Sequence, residues 1–378
     1  MSLDAPNSAE PLVAAVLPPR EGFGPGQSGA IGLIARRRAA IPGFRTVIVG
    51  GAQLGPTYSN VAFHVVEPAL WHLGNINMRY VTAMASWLRR EAPALIEVHN
   101  RPEIALRLAR RFPATPVTLL LNNDPQEMRA SREPAERAVL LRELGHVMTS
   151  SGYLRDRFLE GTGAARTSVA VLPNCIDLAE MPLREKENLI LFAGRVVAEK
   201  GTDVFAAACA AALPQLPGWR AEIIGADRSR EGGPDTDFMR GVRATAETAG
   251  IAMPGYRDYP AVLEAMARAA IVVVPSRWAE PFGLTALEAL GAGAALVVSH
   301  RGGLPEIGGD AAVYIDPEDA RSLASTLVEL ARDPARRDAL ADAGRRRARL
   351  FDAPVIAAQL ASLRRDVLAG MRPPRVAA

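Results

Sequence analysis

Two acids, Glu280 and Glu288, stand among apolar and small neighbours in Arg-Trp-Ala-Glu-Pro-Phe-Gly-Leu-Thr-Ala-Leu-Glu-Ala-Leu-Gly, residues 277–291. A carboxylate accepts two hydrogen bonds from a vicinal diol, and a nucleoside diphosphate sugar carries such diols at both ends. On that reading Glu280 holds the sugar and Glu288 the ribose. Between the two ends lies a diphosphate, for which carboxylates are poor neighbours and cations good ones. Phe192-Ala-Gly-Arg-Val-Val-Ala-Glu-Lys-Gly201 supplies Arg195, a rigid guanidinium fork, and Lys200, a compact point charge. Backbone N–H groups at Gly283, Leu284 and Thr285 open a helix, which also attracts phosphate.

The elements that must position these residues are strands followed by loops and helices. Ile271-Val-Val-Val-Pro275 reads as a buried strand ended by proline, and Pro281 ends any regular element at Glu280. Thr285 to Leu290 has helical composition and stops at Gly291, so Glu288 sits about one turn into a helix that begins beside Glu280. The same alternation runs along the chain. Apolar runs at 12–17, 46–49, 61–66, 95–99, 116–121, 146–149 and 169–172 form one series, and those at 189–193, 221–225, 271–274, 295–299 and 312–315 a second. Strands alternating with helices imply α/β architecture, with parallel sheets covered on both faces. Ligands in such sheets bind beyond the carboxyl ends of the strands, where Arg195, Lys200 and Glu280 stand.

At 378 residues the chain predicts two domains. The boundaries fall at 1–172, a proline-bearing linker at 173–188, a second domain at 189–355, and a terminal stretch at 356–378 with Ile356, Leu360, Leu363 and Val367 on one helical stripe and a disordered tail after Gly370. Cys175 and Cys209 show no metal-ligand spacing and imply a reducing, cytosolic setting. No leader-like start and no apolar run of the roughly 18 residues needed to span a bilayer is present. The net charge of +3 gives no case for nucleic acid, and no basic and aromatic residues interleave as base-stacking surfaces do. Of 44 basic residues only Lys186 and Lys200 are lysines, a skew that most simply reflects arginine-favouring codons but makes each lysine a candidate for a place where a compact ammonium matters. The runs Arg36-Arg-Arg38 and Arg345-Arg-Arg347 read as solvated helix faces, or else as contacts with anionic lipid and so a peripheral place on the inner face of a membrane.

Several motifs together resemble those of the retaining nucleotide-sugar glycosyltransferases of family 4. Glu280 and Glu288 match that family's paired glutamates, and Gly194-Arg195 with Lys200-Gly201 resembles its phosphate-binding pair. Pro275-Ser276 before Glu280-Pro281-Phe282-Gly283 resembles its nucleotide-sugar loop, Gly302-Gly-Leu-Pro-Glu-Ile307 the turn that follows, and Pro173-Asn174 with Ile176-Asp177 its interdomain segment. The resemblance implies the GT-B fold: two Rossmann-like, doubly wound domains facing a cleft, the donor held mainly by the second, and a C-terminal helix crossing back to the first. It also implies hexosyl transfer with retention, with Glu280 at the donor sugar, Glu288 at the ribose, Arg195 and Lys200 at the diphosphate, and His99, in Glu97-Val-His99-Asn-Arg-Pro102, near the reacting sugar. The departing diphosphate then helps remove the acceptor proton, and no protein nucleophile is needed. Bacterial surface polysaccharide or glycolipid synthesis is the expected setting.

Two departures stand out. Where the family carries paired glycines after the first strand, this chain reads Glu21-Gly-Phe-Gly-Pro-Gly-Gln-Ser-Gly-Ala-Ile31, with Gly29 as the equivalent, and Cys175 replaces a common glycine. That loop also gives the rival reading, because Gly24, Gly26 and Gly29 spell a dinucleotide fingerprint and point to an NAD-dependent oxidoreductase. Against it, the glycines begin late after the strand, and Val47-Ile-Val-Gly-Gly51 ends without an acid for the adenosine ribose. A nucleotide-sugar hydrolase or epimerase, or a non-catalytic sugar-binding protein, on a similar fold are further alternatives. The residues at 225–234, with Gly225, and the turn Gly255-Tyr256-Arg257 border the base without choosing among uridine, guanosine and adenosine. No cofactor and no metal are expected, since the cations neutralise the diphosphate and no acid cluster awaits magnesium. The acceptor, whether glycan, lipid-linked or small molecule, is open.

Overall fold

β-branched runs become buried strands in a computed structural model that describes residues 10–68, 74–227 and 235–370. The chain divides into two units, one of residues 1–175 with 353–378, the other of residues 176–352. In the first, strands β1 Leu12–Val16, β2 Arg45–Gly50, β3 Phe63–Val65, β4 Leu95–His99, β5 Val117–Leu121, β6 His146–Thr149 and β7 Ala170–Val171 form one parallel sheet of order β3-β2-β1-β4-β5-β6-β7. Its helices are α1 Ala30–Arg37, α2 Ile76–Glu91, α3 Pro102–Arg111, α4 Pro134–Glu143 and α5 Gly152–Leu159.

In the second unit β8 Glu187–Ala193, β9 Arg220–Ile224, β10 Ala252–Gly255, β11 Ala269–Val274, β12 Ala295–Ser299 and β13 Ala312–Ile315 form a parallel sheet of order β10-β9-β8-β11-β12-β13. Helices α6 Thr202–Ala212, α7 Asp237–Ala249, α8 Tyr259–Arg268, α9 Leu284–Gly291, α10 Leu304–Gly308, α11 Ala320–Arg332 and α12 Pro334–Ala348 accompany it. Counted within each unit, both sheets carry the Rossmann order 3-2-1-4-5-6, which the first extends by β7, and the direction reverses beside the first strand. The reversal lies between β1 and β4 in one unit and between β8 and β11 in the other. Apolar side chains cover both faces of each sheet, as doubly wound packing requires.

The last helix, α13 Ala353–Leu368, returns to the first unit. Its stripe packs there: Ile356, Leu360 and Val367 are buried in one cluster with Val13, Leu95 and Cys175, and Leu363 lies partly buried against it. The same helix buries Arg364, whose Nε and Nη2 grip both oxygens of Glu97 at 3.0 and 2.7 Å, while Nη1 donates to Thr46 Oγ1.

Several local expectations need correction. The first arginine run is not a solvated face, since Arg38 is buried and donates to the carbonyls of Leu172 and Pro173 and Arg37 donates to the Cys175 carbonyl; in the second, Arg345 and Arg346 are exposed as expected, while Arg347 donates to the carbonyls of Ile307 and Glu306. No structural feature sets these arginines toward lipid, and no described helix is long and apolar enough to cross a membrane. Strand β10, with Pro254 and Gly255, was readable only as a turn; proline fits because β10 is an edge strand. Residues 228–234 of the segment expected to border the base, and the tail after Gly370, lie outside the described residues.

Candidate functional site

The second unit's sheet reversal gathers the charged residues. Beyond β8, backbone N–H groups fold residues 198–200 into a single 3-10 turn that carries Lys200. Beyond β11 runs the loop 275–283. Lys200 donates from Nζ to Glu280 Oε1, and Ser276 Oγ donates to that same oxygen at 2.5 Å. Glu280 is buried, and its Oε2 has no hydrogen bond among the described residues. Ser276 is held in turn, its carbonyl accepting from Ser299 Oγ at 2.6 Å. The carboxylate is thus fixed through one oxygen, with capacity left on the other for a ligand hydroxyl.

Arg277 ties these loops together. Its guanidinium meets both oxygens of Asp203 at 2.7 and 2.9 Å, both of Glu318 at 3.0 Å, and the Ala198 carbonyl at 2.8 Å. The backbone N–H groups of Arg277 and Trp278 both donate to the Glu199 carbonyl. The bonds to Asp203, with those to Glu318, raise its pKa against some desolvation. Gly302 closes the back of the loop: at φ +59° it lies so near that a Cβ would stand 2.3 Å from the Glu280 carbonyl oxygen, and the next residue's N–H donates to that carbonyl at 2.7 Å.

The second unit also holds a cavity of about 230 Å³, lined by Gly194, Arg195, Gly225, Tyr256, Thr285 and Glu288 among others. Arg195 is exposed on its wall and makes no side-chain hydrogen bond or ion pair among the described residues. Gly225 lets the chain beyond β9 pass close to that beyond β8, since a Cβ would fall 1.8 Å from the Gly194 carbonyl oxygen. Glu288 is buried at the cavity wall, and the phenol of Tyr259, on α8, donates to its Oε1 at 2.8 Å. Helix α9 begins at Leu284 after Gly283, without a side-chain cap on its amino end. Phe282 turns away into the core, edge-on to Phe351 at 6.0 Å, and Pro281 is buried, so these two shape the loop from behind.

His99 and Gly29 belong to the first unit. His99 is buried at the end of β4, where burial brings its imidazole down to about 4 despite the opposing charge of Glu97, and its Nδ1 has no hydrogen-bond partner among the described residues. Burial would raise the Glu97 pKa, but the Arg364 charge and hydrogen bonds outweigh it and hold the carboxyl ionised. Asn100, next along, adopts φ +56° and accepts through Oδ1 from the N–H groups of Asn122 and Asn123, pinning the end of β4 to that of β5. Gly29 opens α1, but that helix end is already occupied by a side chain: Glu21 Oε1 accepts the Gly32 N–H at 2.9 Å and would lie 2.8 Å from a Cβ on Gly29. Burial raises the Glu21 pKa, partly offset by that bond and by Arg101.

Among the described residues no group of three or more His, Cys, Asp and Glu side chains is arranged to hold a metal ion. Sequence reasoning did not single out Arg277 or Tyr259; both act through partners 74 and 29 residues away in sequence, and no local pattern marks such pairs.

Residues 177–347, nearly all of the second unit, match the family model of glycosyl transferases group 1. A glycogen synthase of Mycobacterium tuberculosis is 34% identical over 220 residues, covering 55% of this chain and 50% of that protein. The chain thus spans about half the length of the first such relatives. Whole-chain likeness extends to solved structures. Sucrose-phosphate synthase from Thermosynechococcus elongatus superposes with a TM-score of 0.75 at 19% identity, over 95% of this chain and 99% of the other. Anabaena HepE, solved with UDP and glucose, superposes at 0.73 and 16% identity, over 93% and 99%. Two Rossmann-like units with a returning terminal helix are the GT-B fold, and the second unit is related to the group 1 glycosyl transferases.

Proposed function

We propose that the protein is a retaining glycosyltransferase that moves a hexosyl group from a nucleoside diphosphate sugar, UDP- or GDP-linked, to an acceptor hydroxyl. The observation that carries the reading is the Lys200–Glu280–Ser276 cluster, found in the same unit as a cavity that bears Arg195 and Glu288. Lys200 and Arg195 take the diphosphate, assisted by the uncapped amino end of α9. Glu280 accepts sugar hydroxyls, Glu288 the ribose diol, and Tyr256 and Gly225 border the base.

In the reaction the bond between the anomeric carbon and the β-phosphate oxygen breaks, its electron pair passing to that oxygen, while the acceptor oxygen bonds the same face of the carbon. The acceptor proton passes to the departing diphosphate. Cations placed where negative charge grows on the leaving group lower the barrier. His99, neutral at pH 7, is assigned to the sugar as an uncharged hydrogen-bonding group. Transfer proceeds without metal, and the setting is cytoplasmic synthesis of bacterial surface polysaccharide or glycolipid. What supports the setting is relationship, since an exopolysaccharide phosphotransferase of Streptomyces coelicolor is 26% identical over 286 residues.

The test is product analysis: UDP-, GDP- and ADP-sugars are offered with and without an acceptor panel, with and without chelator. Transfer with the anomeric configuration kept, unaffected by chelator, is expected. Free sugar alone as product points to a hydrolase, inverted product removes the retaining mechanism, and turnover restored only by magnesium removes metal independence. The dinucleotide alternative is disfavoured because a pyrophosphate at the amino end of α1 meets the Glu21 carboxylate.

A further inference from the structure

Glu280 and Glu288 are held by different chemistry. Glu280 accepts from the Lys200 ammonium and the Ser276 hydroxyl, and Glu288 from the phenol of Tyr259 at 2.8 Å. A phenol donates one hydrogen and carries no charge at neutral pH, so it sets the rotation of a carboxylate without cancelling its charge. The carboxylate has about four lone-pair sites, of which one phenol hydrogen takes one.

Tyr259 is itself held rigidly. It is the first residue of α8, whose N-cap Asp258 accepts the Ala261 N–H through Oδ1 at 3.1 Å, while Pro260 stiffens the same turn. The residues just before it, Tyr256 and Arg257, line the cavity that Glu288 also lines. One short segment therefore borders the cavity and orients the acid at its wall.

We propose that Tyr259 is a positioning residue that aims the Glu288 carboxylate at a ribose diol and so sets the preference of the site for ribonucleoside over deoxyribonucleoside diphosphates. This rests on the reading of Glu288 as the ribose acceptor. A hydrogen bond to a charged group is worth enough that losing its aim weakens diol binding roughly ten-fold.

The experiment is calorimetric titration of the full chain with UDP, GDP and ADP and with their 2′,3′-dideoxy counterparts, for the natural protein, Tyr259→Phe, Glu288→Gln and the double variant, with melting temperatures measured in parallel. Tyr259→Phe should weaken the ribonucleotide roughly ten-fold and leave the dideoxy nucleotide unchanged, and the double variant should bind no worse than Glu288→Gln alone. Equal weakening of both nucleotides, or none, or additive effects in the double variant, would overturn the positioning role. A natural protein that binds a ribonucleotide no better than its dideoxy form overturns the ribose reading of Glu288 itself. Binding of neither form by the natural protein counts instead against the glycosyltransferase reading as a whole.

Discussion

The two units share one strand order and differ in what they place at its reversal. In the second, Arg195 lies open on a cavity, Lys200 stands beside Glu280, and α9 begins without a cap. In the first, the amino end of α1 is closed by the chain's own Glu21, and the neighbouring strand ends in a neutral, buried His99. The topology prepares an anion site in both, because helix amino ends point at the reversal in each. On the proposed function it is the second unit's site that takes a ligand. The lesson is that a Rossmann unit predicts where a ligand binds, whereas the side chains at the reversal decide whether a phosphate is welcome.

The sharpest way to break this contrast is at the second unit. Lys200→Ala leaves Glu280 with Ser276 alone and should cut donor-dependent turnover roughly 100-fold or more, measured as kcat under saturating acceptor with the melting temperature as control. Arg277→Met, which frees Asp203 and Glu318 and loosens the loop carrying Ser276 and Glu280, should lower kcat roughly ten-fold and spare binding of a nucleoside monophosphate; equal losses in both would deny it a positioning role.

In the first unit the effects are on stability. Arg364→Met strands the buried Glu97 charge and should cost about 3–5 kcal/mol in a denaturant titration. Acid should expose His99 as well: its pKa of about 4 lies below the ordinary 6.5, so the unfolded chain binds the extra proton and stability is lost as pH falls from 6.5 toward 4. His99→Gln should flatten that limb of the stability curve, and an unchanged limb would place the titration elsewhere. Smallest of all, Glu21→Gln should cost about 1 kcal/mol as a weakened cap and leave nucleoside diphosphate affinity unchanged.

Much of the fold was legible because β-branched runs alternate with amphipathic helices, and twelve of the strands fall on those runs. β10 was not, since its four residues carry proline and glycine and it pairs on one side only. The chain's lysines were legible as exceptions: Lys200 meets Glu280, and Lys186 donates to the carbonyls of Met266 and Ala292, at the carboxyl ends of α8 and α9. Burial there, with Arg345 nearby, brings Lys186 down to about 8. Long-range pairs were hidden. Arg364 and Glu97 are 267 residues apart, and an arginine on an otherwise apolar stripe reads as solvent-facing until the sheet beneath it is seen. Arg37 and Arg38 misled for the same reason, their partners being carbonyls more than 130 residues away. The loop with Gly24, Gly26 and Gly29 spells a phosphate-binding pattern, yet Glu21, outside the pattern, fills the helix end.

The most direct test is a titration of the natural protein, Lys200→Ala and Glu21→Gln with UDP, GDP and ADP, with NAD as the contrasting ligand. The account predicts that one nucleoside diphosphate binds, that Lys200→Ala loses it, that Glu21→Gln keeps it, and that NAD gives no heat. Binding untouched by Lys200→Ala, or NAD binding strengthened by Glu21→Gln, would contradict the account and move the phosphate site to the first unit.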